Sequence, residues 1–206
     1  MKIINLSAND FSSACCYLLE SNKHGIIVDP GSPFPLLKYM LKNKYNDIII
    51  DGILLTHGHF DHIFSLDEVH KYTNAPVYIH EFDNELLGDS MKNAYYTFFG
   101  TERSFGSADK LLQNGDIINL SEEQIKVIHT PGHTKGSVCF LCGKDLLTGD
   151  TLFAEGYGRC DFYGGDFEEI YKSINQKLRT LPSDITIYPG HGYSCKLSEA
   201  LENLPF

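Results

Sequence analysis

The sequence predicts an α/β fold. Short apolar runs alternate with segments whose apolar residues recur at helical spacing. Five of those runs stop at a turn carrying His or Asp. No internal repeat, linker or low-complexity stretch interrupts the 206 residues, so one domain spanning residues 1–206 is expected. With 42% hydrophobic and 21% charged residues, the chain has the composition of a globular domain with a sizeable core.

Ile3–Leu6, Cys15–Leu19 and Gly25–Val28 read as short strands, the third ending in the turn Asp29-Pro30-Gly31. Pro35–Tyr45 places Leu36, Leu37, Met40 and Leu41 on one helical face, with lysines on the other. Ile53–Leu55 is continuously apolar, as in a strand buried on both faces. A helix through Leu66–Tyr72 and a strand at Pro76–Ile79 follow. From Asp83 to Asp109 the pattern weakens. The aromatic run Tyr95–Gly100 within it reads equally as a pocket lining or as a connection packed on the core. Strands return at Ile117–Leu120, Ile125–His129, Val138–Leu141 and Leu146–Leu147. Phe167–Leu178 reads as a helix with Asp166 as N-cap and Glu168 and Glu169 in the first turn, where carboxylates suit the helix dipole. Ile185–Tyr188 is a last strand and Leu197–Leu204 a last helix.

A formal charge of −10 argues against a general nucleic-acid partner. Asn5, Asn9 and Asp10 interrupt any apolar core of a signal peptide, and no run reaches the roughly 18 apolar residues of a membrane helix. A cytoplasmic protein without membrane contact is expected. Its six cysteines (Cys15, Cys16, Cys139, Cys142, Cys160 and Cys195) then read as reduced thiols. Cys139 and Cys142 have zinc-knuckle spacing but no second pair. Their place in the apolar run Val138–Cys142 makes them small buried side chains.

The chemistry concentrates in Thr56-His57-Gly58-His59-Phe60-Asp61-His62, directly after the Ile53–Leu55 run. Three of the nine histidines and a carboxylate fall within six positions, a ligand set that suits zinc or a similar first-row cation. A two-metal centre needs more ligands than one loop supplies. His133, Asp150 and His191 each follow an apolar run and each is preceded by Gly, whose backbone freedom permits a sharp turn off a strand. Strand ends converging on one edge would assemble such a site from distant sequence. His24, His70, His80 and His129 lack this setting. His70 reads as solvated on a helix, and His129 as a core or edge residue of its strand.

The set Thr56–His62, His133, Asp150 and His191 resembles the metallo-β-lactamase-fold superfamily. Within it the chain looks most like the glyoxalase II-like (hydroxyacylglutathione hydrolase) branch. Val28–Gly31, Thr130–Thr134, Gly149–Phe153, Gly158–Phe162 and the closing Asn203–Phe206 carry that likeness. The resemblance implies a four-layer αββα sandwich with the site at one edge of two sheets. It implies that His57, His59 and His133 hold one metal, that Asp61, His62 and His191 hold the second, and that Asp150 bridges. Two divalent ions are implied as cofactors. Zinc is the default from ligand type, and iron or manganese also suit His and Asp.

The resemblance further implies a hydroxide between the ions that attacks a thioester carbonyl, with Asp61 and Asp150 at the catalytic centre. A thiolate leaves without a general acid, because a thiol's pKa is about 8.5. Arg159 resembles the basic residue that meets the thiol carrier and has the fork to clasp a carboxylate; the alternative is an ion pair with Asp161. Tyr193 resembles a substrate-contacting tyrosine; the alternative is packing at a helix start. Cys160 has no adjacent base and reads as structural. Glyoxalase II enzymes carry a further C-terminal helical region that builds much of the glutathione site. Here Gly192–Phe206 follows the last ligand, which points to smaller or different thioesters as the small-molecule substrate. The persulfide dioxygenases, with a single iron and a similar Gly-Arg-x-Asp segment, are the runner-up. A lactonase and a non-catalytic metal-binding protein come behind them. A β-lactamase is disfavoured, because a bridging Asp150 is foreign to that branch's pattern. Ligand pattern alone leaves the oligomeric state open.

Overall fold

Strand alternation builds three apolar layers rather than one. In the computed structural model, which describes residues 1–7 and 14–205, β1 (Lys2–Asn5), β2 (Tyr17–Ser21) and β3 (His24–Val28) form an antiparallel meander. The sheet continues in parallel through β4 (Ile49–Leu54), β5 (Val77–His80) and β6 (Lys110–Leu112). A second six-stranded sheet takes β7 (Ile117–Leu120), β8 (Glu123–His129), β9 (Val138–Cys142) and β10 (Asp145–Gly149) antiparallel. In it, β11 (Thr186–Pro189) lies parallel to β10, and β12 (Cys195–Lys196) closes the edge.

Because side chains alternate across a strand, each sheet buries both faces. On β3, Ile26 and Val28 point into the space between the sheets, where they meet Val127, Phe140 and Leu147. Ile27 points outward onto Leu37 and Leu41 of α1 (Phe34–Asn43), and onto Val69 of the helix Leu66–Thr73. On β9, Phe140 faces inward while Cys139 faces Ile170, Ile174 and Leu197 on the far side. Those last residues belong to the helices Phe167–Lys172 and Leu197–Glu202 and to a π-helical turn, Ser173–Lys177. The order is helix, sheet, sheet, helix: the expected αββα sandwich.

Several local expectations shift. β4 begins at Ile49 rather than Ile53, because its first residues sit half-exposed at the end away from the core. The expected helix Phe167–Leu178 is α-helical only to Lys172, then π-helical, then 3-10 over Leu178–Thr180. Its cap is as expected: the Asp166 carboxylate accepts from Glu169 N at 3.1 Å. β6, only three residues long and mostly exposed, lies just past the stretch of weak pattern. Within that stretch, two five-residue helices form, Asn84–Gly88 and Tyr95–Phe99. Cys139 and Cys142 are buried as expected, and no helix among the described residues is long and apolar enough to cross a membrane. Asn9, Asp10 and Phe206, used in the sequence reading, lie outside the described residues.

One buried carboxylate ties the sheets together. Asp83, just after β5, accepts from Gly58 N at 2.9 Å and from the Thr134 hydroxyl and Gly136 N at 2.7 Å each. The first donor follows β4 in one sheet; the other two lie between β8 and β9 in the other. Burial pushes the Asp83 carboxyl up to about 6, against the three donors that pull it down. Asp83→Ala would strand all three buried donors, each worth about 1–3 kcal/mol when orphaned. A loss of about 3 kcal/mol or more is expected, read as a lower urea midpoint. An unchanged midpoint would show that Asp83 is no latch.

Candidate functional site

β4, β8, β10 and β11 all end at the same edge of the sandwich, and each delivers ligands there. Beyond β4 the chain turns into one short helical turn, Phe60–Ile63, which places His57, His59, Asp61 and His62 around a single point. Beyond β8, Gly132 stands at φ +135 with its Cα against Ile170, where an added Cβ would lie 2.2 Å from the backbone nitrogen. Beyond β11, a Cβ on Gly190 would lie 2.2 Å from Asp150 Oδ1 and 2.6 Å from His62 Cε1. The glycines before His133 and His191 therefore serve close approach as well as turning.

The side chains meet through their lone pairs. His133 Nε2 lies 3.2 Å from His57 Nε2 and 2.8 Å from His59 Nδ1. Asp150 Oδ1 is 3.2 Å from His62 Nε2, while its Oδ2 is 3.5 Å from His133 Nε2 and 3.6 Å from His191 Nε2. Asp61 Oδ2 stands 3.2 Å from His191 Nε2 and 3.9 Å from His62 Nε2. Asp150 thus touches both halves. Three ligand groups have their donor atoms within 4.8 Å of one another: His57, His59 and His133; His57, His62 and Asp150; and Asp61, His62 and His191.

The hydrogen bonds around the cluster fix which nitrogen faces inward. His62 Nδ1 donates to Asp29 at 2.8 Å, and His133 Nδ1 to the Arg159 carbonyl at 2.7 Å. The Thr56 hydroxyl donates to Asp29 at 2.6 Å and takes the His57 Nδ1 proton at 3.1 Å. In His57 and His133 this leaves Nε2 as a lone pair directed at the centre. Burial holds His57 and His133 below the usual imidazole range and His59 at about 3, so all three are neutral at pH 7. Burial also pulls on His62, but Asp150, Asp29 and Asp61 outweigh it and hold that ring well above its usual range. The facing Nε2 lone pairs of His57 and His133, 3.2 Å apart, repel. His62 Nε2 and Asp150 Oδ1 are buried and lack hydrogen-bond partners among the described residues. A cation between these donors satisfies both conditions, so the residues fit a metal centre.

Asp29 is the residue the sequence reading left without a role. Besides His62 and Thr56 Oγ1 it accepts from Thr56 N at 2.8 Å, all from a backbone at φ +51. A carboxylate in an Asp-Pro-Gly turn ending a buried strand was the available signal. Asp83 fell within the weakly patterned stretch and had none.

The expected substrate contacts divide. A cleft of about 360 Å³ opens on the ligands, walled by Phe60, Phe98, Phe153 and Phe162, with Arg159 at its side. Arg159 also makes the alternative ion pair, with Nε and Nη2 at 2.6 and 2.7 Å from the Asp161 carboxylate. Tyr193 does not line this cleft. It is 59% exposed and donates to Glu155 at 2.9 Å, so it is not a packed helix-start residue either. Cys160 lies outside the cleft lining with its thiol pushed up to about 11, mainly by burial. His80 and His129 stack on each other with centroids 4.1 Å apart, and His24 pairs with Asp51 at 2.7 Å. His70, expected to be solvated, is half-buried and donates to the Ala75 carbonyl at 2.9 Å.

Comparison with known proteins gives a consistent result. Residues 10–191 match the profile of the metallo-β-lactamase superfamily. YqgX, a probable metallo-hydrolase of Bacillus subtilis, is 35% identical over 196 residues, covering 94% of this chain and 92% of that protein. The hydroxyacylglutathione hydrolase GloC of Haemophilus influenzae is 29% identical over 215 residues, covering 100% of this chain and 98% of its own. Among solved structures, BLEG-1 B3 metallo-β-lactamase has a TM-score of 0.91 at 32% identity, over 100% of this chain and 99% of that one. ETHE1 from Myxococcus xanthus has a TM-score of 0.79 at 27% identity, over 100% and 84%. A profile match across most of the chain, on a sandwich whose strand ends gather His and Asp at one edge, makes this chain a member of the metallo-β-lactamase superfamily.

Proposed function

We propose that the chain is a binuclear metal-dependent hydrolase acting on small thioesters. The observation that carries this is Asp150, whose two oxygens reach the His133 side and the His62 side of one buried cluster. That geometry suits a shared carboxylate. His57, His59 and His133 would hold one ion, and Asp61, His62 and His191 the other. When bound, such a pair of ions lowers the pKa of water to about 7 and polarises a carbonyl.

The chain's own residues do the rest. Burial raises the Asp61 carboxyl, but His62 and His191 outweigh it and hold it below its usual range, so Asp61 stays ionised and able to orient an attacking water. Asp150, buried but surrounded by His62, His133 and His191, is likewise held ionised. Among the described residues neither Ser nor Cys lines the cleft, which supports attack by water over a covalent acyl-enzyme. The aromatic walls lower the local dielectric and strengthen each charge interaction at the carbonyl. A thiolate leaving group needs no protonation, which agrees with a cleft whose carboxylates are both ionised. The similarity to GloC supports the thioester as the bond cut.

The second reading is an iron-dependent persulfide dioxygenase, with which the likeness to ETHE1 is compatible. Purified protein is expected to hold about two ions per chain and to hydrolyse lactoylglutathione or a smaller thioester. His57→Ala should abolish that turnover. Full turnover in this variant would disprove the metal assignment, whereas one iron with rapid oxygen uptake on glutathione persulfide would replace the hydrolase by the dioxygenase. A β-lactam serves as control substrate, given the likeness to BLEG-1.

Asp29→Asn keeps the side chain's size but removes the charge that holds His62. Metal affinity is expected to fall about 10–100-fold, measured by chelator competition. Wild-type affinity in this variant would mean that His62 needs no orienting partner.

A further inference from the structure

Among the described residues, the cleft lining outside the ligands is apolar apart from Arg159. Phe60 and Phe98 lie with ring centroids 5.0 Å apart, and Phe98 meets Phe162 edge-on at 6.2 Å. Phe162 in turn stands edge-on to the ligand His59 at 5.8 Å, so this wall begins at the metal ligands and runs outward. Phe153 faces His191 at 6.0 Å on the other flank. Phe98 is 58% exposed on the five-residue helix Tyr95–Phe99, a costly place for a phenyl ring unless something covers it.

Among the described residues Arg159 is the only Lys or Arg lining the cleft, and it is engaged on two sides. Asp161 takes two of its N–H groups, and its guanidinium carbon lies 3.8 Å over the Phe162 ring. Locked in this way, it braces the aromatic wall and has its charge already answered. An anionic substrate arm would meet a guanidinium whose charge Asp161 already offsets.

We infer that the cleft selects substrates bearing a compact, uncharged apolar group, aryl or branched alkyl, on one side of the scissile bond, and that Phe98 determines this specificity. The inference rests on the thioester reading only for the bond cut; the wall's preference is a property of binding. Phe98 touches none of the ligands in the contacts described above, so Phe98→Ala should leave metal content unchanged.

The test uses the zinc-loaded protein and its Phe98→Ala variant. Binding of 2-phenylethanethiol and of 2-mercaptoethanesulfonate, a thiol of similar reach with a charged end, is measured by calorimetry. The aryl thiol should bind about tenfold tighter or more to the parent protein, since its ring leaves water against the wall. In the variant the two should come within about threefold. Hydrolysis is followed on S-benzyl thioacetate and on the N-acetylcysteamine thioester of phenylacetate, each against a carboxylate-bearing counterpart. At least one ring-bearing ester should show the higher kcat/KM, and Phe98→Ala should erase that advantage. Equal binding of the two thiols, preference for the sulfonate, or a preference that survives Phe98→Ala would overturn the inference. Loss of all thioester turnover with the thiol preference intact would remove the hydrolase reading and leave the wall. Turnover without the preference would do the reverse.

Discussion

The structure depends on holding unlike tendencies together: several buried imidazole lone pairs and two carboxylates kept within a few ångströms of one point. His57 Nε2 and His133 Nε2, 3.2 Å apart, have no proton to share, and Asp150 Oδ1 is buried without a hydrogen-bond partner among the described residues. Unpaired buried polar atoms cost stability unless something satisfies them. The sandwich resists that cost with bonds made one step away. Asp29 grips His62 and Thr56, Asp83 binds the loops of both sheets, and the Arg159 carbonyl holds His133. Each of these partners orients a ligand or its loop without entering the cluster, so metal binding and sheet packing draw on the same hydrogen bonds.

The two halves of the cluster are chemically different. His57, His59 and His133 form a set of neutral imidazoles, depressed by burial. His62 and His191 sit with Asp61 and Asp150 at contact distance, and Asp29 stands behind His62. The first set is nitrogen-only and borderline in softness; the second mixes nitrogen with hard oxygen. Such asymmetry gives the two halves different preferences for a cation, and the nitrogen triad is complete without the other half.

Much of this was legible in the sequence, for a reason visible in particular residues. Ile26, Ile27 and Val28 alternate between two apolar layers, so a three-residue run without polar interruption already announces a strand covered on both faces. The ligands were legible because each follows such a run. What stayed hidden lacks periodicity. Asp83 sits on a 3-10 turn in a stretch of short helices, and nothing local marks a carboxylate that will meet Gly58 and Gly136 from distant loops. The helix breaking into a π-turn at Ser173 follows from tertiary demands as well: Ser173 and Lys177 bond the carbonyls of Pro131 and His129, which support the His133 loop. Tyr193 lies outside the cleft lining, because two residues of separation from His191 say nothing about direction, and Gly192 between them stands at φ +86.

Ligands that activate water are indifferent to what hangs from the bond being cut, so selectivity must come from side chains outside the cluster. Here those side chains are aromatic, and they come from three separate places: the ligand loop (Phe60), the helix Tyr95–Phe99 (Phe98) and the loop after β10 (Phe153 and Phe162). The last of these also carries Arg159, whose pairing with Asp161 and stacking on Phe162 convert a cation that could have caught an anion into part of the wall. A two-residue separation between Arg159 and Asp161 allows the fork to close on its own loop, at no cost in long-range order. Of these three places the helix Tyr95–Phe99 stands apart, because the two loops also carry or contact ligands, so Phe98 is where the wall can change with the least effect on the cluster.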